Sequence, residues 1–167
     1  MGAPLNQTID IVRVDYGNPV HAEHLIELMN RYSCDPMGGG VPLAGSVKSR
    51  LVAELAKLPN ALSLLAYRGD AAIGLANCFL GFSTFRARAL LNLHDLVVLS
   101  EYRGCGVGQA LLGAVENLAR QHLCCKVTLE VLSNNHRAKR SYTEAGFQAY
   151  SLKEETGTAE FWEKYLD

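Results

Sequence analysis

Residues 95–112 read DLVVLSEYRGCGVGQALL. Leu96 to Leu99 are apolar in succession, the pattern of a buried strand. Leu111 begins an apolar helix face that continues at Val115 and Leu118. Between strand and helix stand Gly104, Gly106 and Gly108. Strand, glycine turn and helix start together make an anion site. The first-turn N–H groups point outward, and the helix dipole adds positive potential. Glycine lets the backbone come close to a ligand and adopt dihedrals that a Cβ disfavours.

Three phosphate-binding patterns compete for this turn. A Walker loop needs Lys-Ser/Thr after its last glycine, and Gln109-Ala110 stands there instead. A dinucleotide turn needs G-x-G-x-x-G. Counted from Gly104 the third glycine position is Gln109, and from Gly106 it is Leu111, so that spacing fails. R-x-x-G-x-G fits, as Arg103-x-x-Gly106-x-Gly108.

Outward from the turn, the chain reads β-α-α-β-β-β-α-β-α-β-β. TIDIVRVD (8–15) is a first strand, and Pro19 opens a helix with Leu25, Leu28, Met29 and Tyr32 on one face. A Gly/Pro loop follows at 34–45, then one helix over 46–58 capped by Ser46. Residues 61–82 form two antiparallel strands joined at Arg68-Gly69-Asp70. Residues 89–99 form a long strand expected to be buried on both faces. After the glycine-turn helix come a strand at 126–132 and a helix at 134–147 with Gly146 as its left-handed cap. Strands at 148–153 and 159–166 complete the order.

The 167 residues suit one domain, and 49% apolar with 20% charged residues is an ordinary globular balance. A net charge of -1 argues against nucleic acid and against a polybasic membrane anchor. No leader segment or membrane span is read from the sequence. Five cysteines without metal spacing read as reduced thiols, hence a cytoplasmic protein with no metal.

The glycine turn, in its strand-turn-helix setting, resembles the GNAT superfamily of N-acetyltransferases, whose R/Q-x-x-G-x-G/A turn holds the pyrophosphate of acetyl-CoA. LEVLSNNHRAKRSYTEAGF (129–147) is similar to that family's second signature, with Asn135, Ala138, Tyr142 and Gly146-Phe147 at the usual spacings. The element order agrees over nearly the whole chain. The resemblance implies one GNAT domain over residues 1–167, of α/β (α+β) class. Its fold is a single mixed, largely antiparallel sheet of about seven strands, flanked by about four helices, with splayed fourth and fifth strands.

The resemblance also implies roles. Acetyl-CoA is the cosubstrate. Backbone groups of Leu96, Val97 and Val98 pair with its pantetheine arm like an added strand. Arg103 opens the phosphate turn, and amides of Gly104, Cys105, Gly106, Val107, Gly108 and Gln109 hold the pyrophosphate. Asn135 contacts the arm or orders its pocket, and Tyr142 sits near the sulfur. The acceptor is a primary amine of a small molecule or a peptide, shaped by residues 32–45 together with Phe79, Phe82 and Phe85. A non-catalytic acyl-CoA-binding module is the alternative.

The chemistry narrows the catalytic candidates. An alkyl amine of pKa ~10.4 is only ~10⁻³ neutral at pH 7, which costs ~4–5 kcal/mol, so a base helps. His94 stands just before the arm-binding stretch, where relatives often place a base or a water-ordering residue. Its ordinary pKa of ~6.5 suits that role. Asp95 faces the other way unless the strand bulges, and it reads as structural, as does Glu130. Tyr142, with an ordinary pKa of ~10, is protonated at pH 7 and suits the thiolate end. A backbone N–H near Val98 is expected to polarise the carbonyl. Asp35 reads as a solvated loop residue. Phe161 and Trp162 exceed what a lone edge strand needs, which suggests a homodimer contact.

Overall fold

Gly69, at φ +60°, turns the chain between two long strands, β2 (Ala61–Arg68) and β3 (Ala71–Ser83). This computed structural model describes residues 8–151, 153, 155 and 157–166. Two compact units divide the chain, Met1–Leu129 and Glu130–Asp167. In the first, β1 (Asp10–Arg13), β2, β3, β4 (Arg88–Val98) and β5 (Val127–Leu129) form one open sheet in chain order. Every neighbouring pair is antiparallel except β4–β5, which is parallel.

Helices pack on both faces. On one lie α1 (Pro19–Ser33), α2 (Gly45–Lys48) and α3 (Leu51–Ala56). Leu25, Leu28, Val52 and Leu55 there share a core with Ala61, Leu65, Leu75 and Val97. Against the other lies α4 (Val107–Gln121), which buries Val107, Leu111, Val115 and Leu118. Gly74 allows that helix its depth. A Cβ there would sit 3.0 Å from the Leu111 side chain and from the Val97 carbonyl.

Several expectations are corrected. Five strands form among the described residues, not seven. The strand expected at 126–132 stops at Leu129, and no strand forms over 159–166. Phe161 and Trp162 are 76% and 84% exposed, so no sheet face receives them. One antiparallel bridge, Ser151–Thr158, stands where two strands were expected, and Leu152 of the first lies outside the described residues.

The helix expected over 46–58 is broken at Ser49–Arg50. The Ser49 hydroxyl and the Arg50 Nε both donate to the Ser46 carbonyl, at 3.2 and 3.1 Å, in competition with the backbone. Ser46 is therefore not the cap; Ala44 holds that position without a side-chain bond. Finally, β4 is not buried on both faces: Leu91, Leu93 and Val97 are buried, but His94 is exposed.

Cys78 lies under α4 and is 1% exposed, and burial, reinforced by Asp95, pushes its thiol up to about 12. Its protonated form therefore supports the fold below the usual thiol pKa, and that support is lost as pH rises through about 12. Thermal stability is expected to fall between pH 9 and 12. A Cys78→Ala variant should show a shallower fall. Under native conditions at pH 8, alkylation should label exposed Cys34 and Cys105 and spare Cys78.

Candidate active site

The register of β3 against β4 changes in the middle of the sheet. Asn77 pairs with Asp95, but the next residue, Cys78, pairs with Leu93. His94 is thus an extra residue, a β-bulge. The bulge overturns the alternation expected along this strand. Asp95 joins the α1 face, where its Oδ2 accepts from Asn77 Nδ2 at 3.0 Å. His94 lies on that face too, edge-on to Phe79 with ring centroids 5.5 Å apart. Asn92, opposite Phe79, shares it and donates to the Thr128 hydroxyl at 3.2 Å.

A buried polar chain fixes the bulge from behind. The Tyr16 hydroxyl lies 2.8 Å from Ser63 Oγ, which donates to Asn77 Oδ1 at 2.7 Å. Ser63 and Asn77 are 2% and 4% exposed. Asn77 spends its amide on this chain, on Asp95 and on Met29 Sδ at 3.3 Å, so its polar groups are satisfied. Asp95 has the structural bond expected of it, to Asn77 of β3.

Beyond the bulge β4 loses its neighbour on one side. β5 pairs with it only at Leu91–Leu93, as splayed strands require. The Leu99 amide donates to the Ile73 carbonyl at 3.0 Å, so odd-numbered Val97 directs its polar groups toward β3. Leu96 and Val98 direct theirs to the opposite edge. There the Val98 carbonyl accepts from Arg103 Nε at 3.0 Å. Among the described residues no strand pairs with this edge after Leu93.

The glycine turn follows directly. Gly104 and Gly106 stand at φ +77° and +83°, and a Cβ on either would meet nothing within 4 Å. Glycine is needed here for its dihedrals, and the space above the turn is open. Gly106 is the N-cap of α4 without a side-chain cap, and the first helical bond runs from the Ala110 amide to its carbonyl at 3.0 Å. The amides of Val107, Gly108 and Gln109 precede that bond at the positive end of a four-turn helix. This turn and the open β4 edge fit a cosubstrate with an extended amide arm and a pyrophosphate.

Arg103 Nη2 also meets Asp35 Oδ2 at 2.7 Å, so Asp35 is not a solvated loop residue. A cavity of about 210 Å³ lies here, walled by Tyr32, Cys34, Asp35, Val97–Ser100 and Arg103. Burial raises the Tyr32 pKa, and the Asp95 and Asp35 carboxylates add to the effect. A second cavity, about 390 Å³, is lined by Asp15, Tyr16, Ala56 and Ser63 and includes no residue of β4 or the glycine turn.

In the second unit, α5 (His136–Glu144) is capped by Asn135, whose Oδ1 accepts from the Ala138 amide at 3.1 Å. Gly146, at φ +88°, ends it in the left-handed conformation expected. The Phe147 amide donates to the Tyr142 carbonyl at 2.9 Å, and the two rings stand 6.0 Å apart. The spacing Asn-x-x-Ala…Tyr…Gly-Phe is thus the spacing of a capped helix of nine residues.

Residues 25–147 match the sequence model of the acetyltransferase (GNAT) family. The chain belongs to the GNAT family. A bovine thialysine N-epsilon-acetyltransferase is 32% identical over 59% of this chain and 54% of its own length. The mouse protein of the same name is 30% identical over 66% of this chain and 61% of its own. The chain thus spans little more than half of these curated relatives. Among solved structures, an aminoglycoside N-acetyltransferase in complex with CoA superposes with a TM-score of 0.72 at 18% identity, over 97% of this chain and 98% of that one. That likeness is one of fold.

Within this GNAT chain the first unit gathers His94, Leu96–Val98 and Arg103–Gln109 along one continuous stretch. Asn135 and Tyr142 belong to the second. Sequence reasoning missed the Asn77–Ser63–Tyr16 support. Its one trace was two polar residues, Ser63 and Asn77, inside otherwise apolar strands. It also missed the bond between Asp35 and Arg103, which are 68 residues apart.

Proposed function

We propose that this protein is an acetyl-CoA-dependent N-acetyltransferase acting on a primary amine of a small molecule or peptide. The observation that carries the reading is the left-handed Gly106 cap at the start of α4, reached from a β4 edge unpaired after Leu93 among the described residues. Acetyl-CoA supplies the activated acyl group as a thioester. Leu96 and Val98 offer that edge to its arm, with Val97 buried between them as their anchor. Gly104, Cys105, Gly106, Val107, Gly108 and Gln109 offer amides to the pyrophosphate. Arg103 belongs to this set by its place in the turn, and its guanidinium holds the turn to Val98 and Asp35. Asn135 caps the helix that carries Tyr142 and so sets that helix's start.

His94 takes the amine proton, directly or through water. Its exposure and its place beside Asn92 and Asp95, on the one face where the bulge gathers all three, favour this. The Val98 amide polarises the acyl carbonyl. Tyr142 donates to the leaving thiolate. Names of the bovine and mouse relatives support an amine acceptor, and thialysine is the first to try. The family match runs across the boundary between the two units and supports one GNAT domain over 1–167. Free thiols at all five cysteines support a cytoplasmic setting, and the exposed Phe161, Trp162 and Tyr165 support a homodimer contact.

The test is release of CoA thiol from acetyl-CoA with a panel of amines, followed by a pH profile with the best acceptor. Steady release above the amine-free rate is expected; binding without release would make the protein a non-catalytic acyl-CoA module. For wild type, kcat/KM should show a rise with pH in the neutral range that depends on His94. His94→Gln should lose that limb, while the amine's own titration near ~10 remains. An unchanged neutral limb and rate in His94→Gln would make His94 structural, with Glu130 the next residue to test.

A further inference from the structure

Two ion pairs tie the end of α1 and the loop after it to the segment that leads into the glycine turn. Arg31 meets Glu101 at 3.1 Å, and Arg103 meets Asp35 at 2.7 Å. The first pair is about half exposed, at 49% and 51%, and water and salt screen it. The second is 28% exposed on the arginine and 17% on the aspartate.

Each member of the inner pair also organises its own segment. Asp35 Oδ1 accepts from the Met37 amide at 2.9 Å. Its backbone carbonyl accepts from the Gly38 and Gly40 amides at 2.8 and 3.1 Å. Met37 to Gly40 are thus folded around this one residue. Arg103 Nε donates to the Val98 carbonyl while Nη2 reaches Asp35. A guanidinium can hold two acceptors in fixed geometry, which an ammonium cannot. The end of β4, the phosphate turn and the 35–40 loop therefore meet at one side chain, beside the cavity of about 210 Å³.

We infer that Asp35 and Arg103 are positioning residues whose ion pair couples the occupied phosphate turn to the loop on the acceptor side of the cavity. The inference rests on the acetyltransferase reading above. An anion on the amides that follow Arg103 stiffens the turn. The stiffened turn holds the guanidinium, and the guanidinium holds the loop through Asp35. Acetyl-CoA bound first thus prepares the wall that the amine meets. By linkage, an acceptor that needs the ordered loop tightens acetyl-CoA binding by the same factor.

Hydrogen exchange and kinetics on the full chain test this, with CoA as the probe ligand and thialysine as the acceptor. In wild type, CoA should slow exchange at the Gly38 and Gly40 amides by ~10-fold or more. Asp35→Asn should remove most of that protection and raise the thialysine KM by ~10-fold, with kcat and CoA affinity changed less than ~3-fold, and Arg103→Gln should remove the same loop protection at saturating CoA. In loop protection the double variant should be no worse than either single one, because the same link is lost in all three. Arg103→Lys, which keeps the charge but not the planar fork, should fall between wild type and Arg103→Gln.

Equal CoA-dependent protection in wild type and both variants would overturn the inference. So would a wild-type thialysine KM in Asp35→Asn, whose carboxylate is the loop's half of the link. If wild type binds no CoA by calorimetry, or releases no CoA thiol with any amine, the acetyltransferase reading fails, and the coupling fails with it.

Discussion

Gly106→Val is expected to abolish acetyl-CoA binding while the protein stays folded. At a hundredfold excess over Kd, acetyl-CoA should stabilise wild type by ~2.7 kcal/mol, and the variant by nothing measurable. Two effects act together. At φ +83° a β-branched residue is disfavoured by ~1–2 kcal/mol, so the cap of α4 shifts and its first amides turn away. The new side chain also enters the open space above the turn, where no protein atom lies within 4 Å of a Cβ. Gly157→Val is the control, because Gly157 also stands at positive φ, +74°, with open space around it. That variant should lose melting temperature without losing acetyl-CoA. Wild-type affinity in Gly106→Val, by calorimetry, would remove the phosphate assignment.

Tyr142→Phe should leave acetyl-CoA affinity nearly unchanged and lower turnover by ~10- to 1000-fold, the range for a lost acid or charge-stabilising donor. The substitution keeps the ring that packs against Phe147 and removes only the hydroxyl. A phenol of ordinary pKa ~10 lies ~1.5 units above a thiol of ~8.5, so proton donation costs ~2 kcal/mol before the surroundings act. Single-turnover measurements should place the defect in the chemical step. Turnover equal to wild type would make Tyr142 a packing residue.

Much of this was legible in the sequence because the informative features are local. The glycine turn, its helix and the long hairpin are each set by residues within a few positions of one another. So is the Asn135-to-Gly146 helix. The bulge at His94 was not legible, since it exists only as a register between β3 and β4, and alternation along β4 alone predicts the opposite face for Asp95. Ser63, Asn77 and Asp95 come from three strands and become a chain only after pairing. The broken helix at Ser49–Arg50 escaped because the competition is between side chains and one carbonyl, which periodicity does not report. The strands expected at 148–153 and 159–166 carry Tyr150, Phe161, Trp162 and Tyr165. Aromatic residues favour strands only where a neighbouring surface receives them.

The strand order, which follows the chain from β1 to β5, has a kinetic consequence. β2, β3 and β4 can assemble hairpin by hairpin, each closure spanning a short loop. The β4–β5 connection is different. It runs through residues 99–126, must carry α4 across the face of the sheet, and brings two parallel strands together only at its end. The phosphate turn lies inside that slow crossover. The barrier to folding thus favours a sheet built before its anion-binding end. A ribosome that has released β4 but not β5 presents a meander with Leu91 and Leu93 still uncovered by the helix to come.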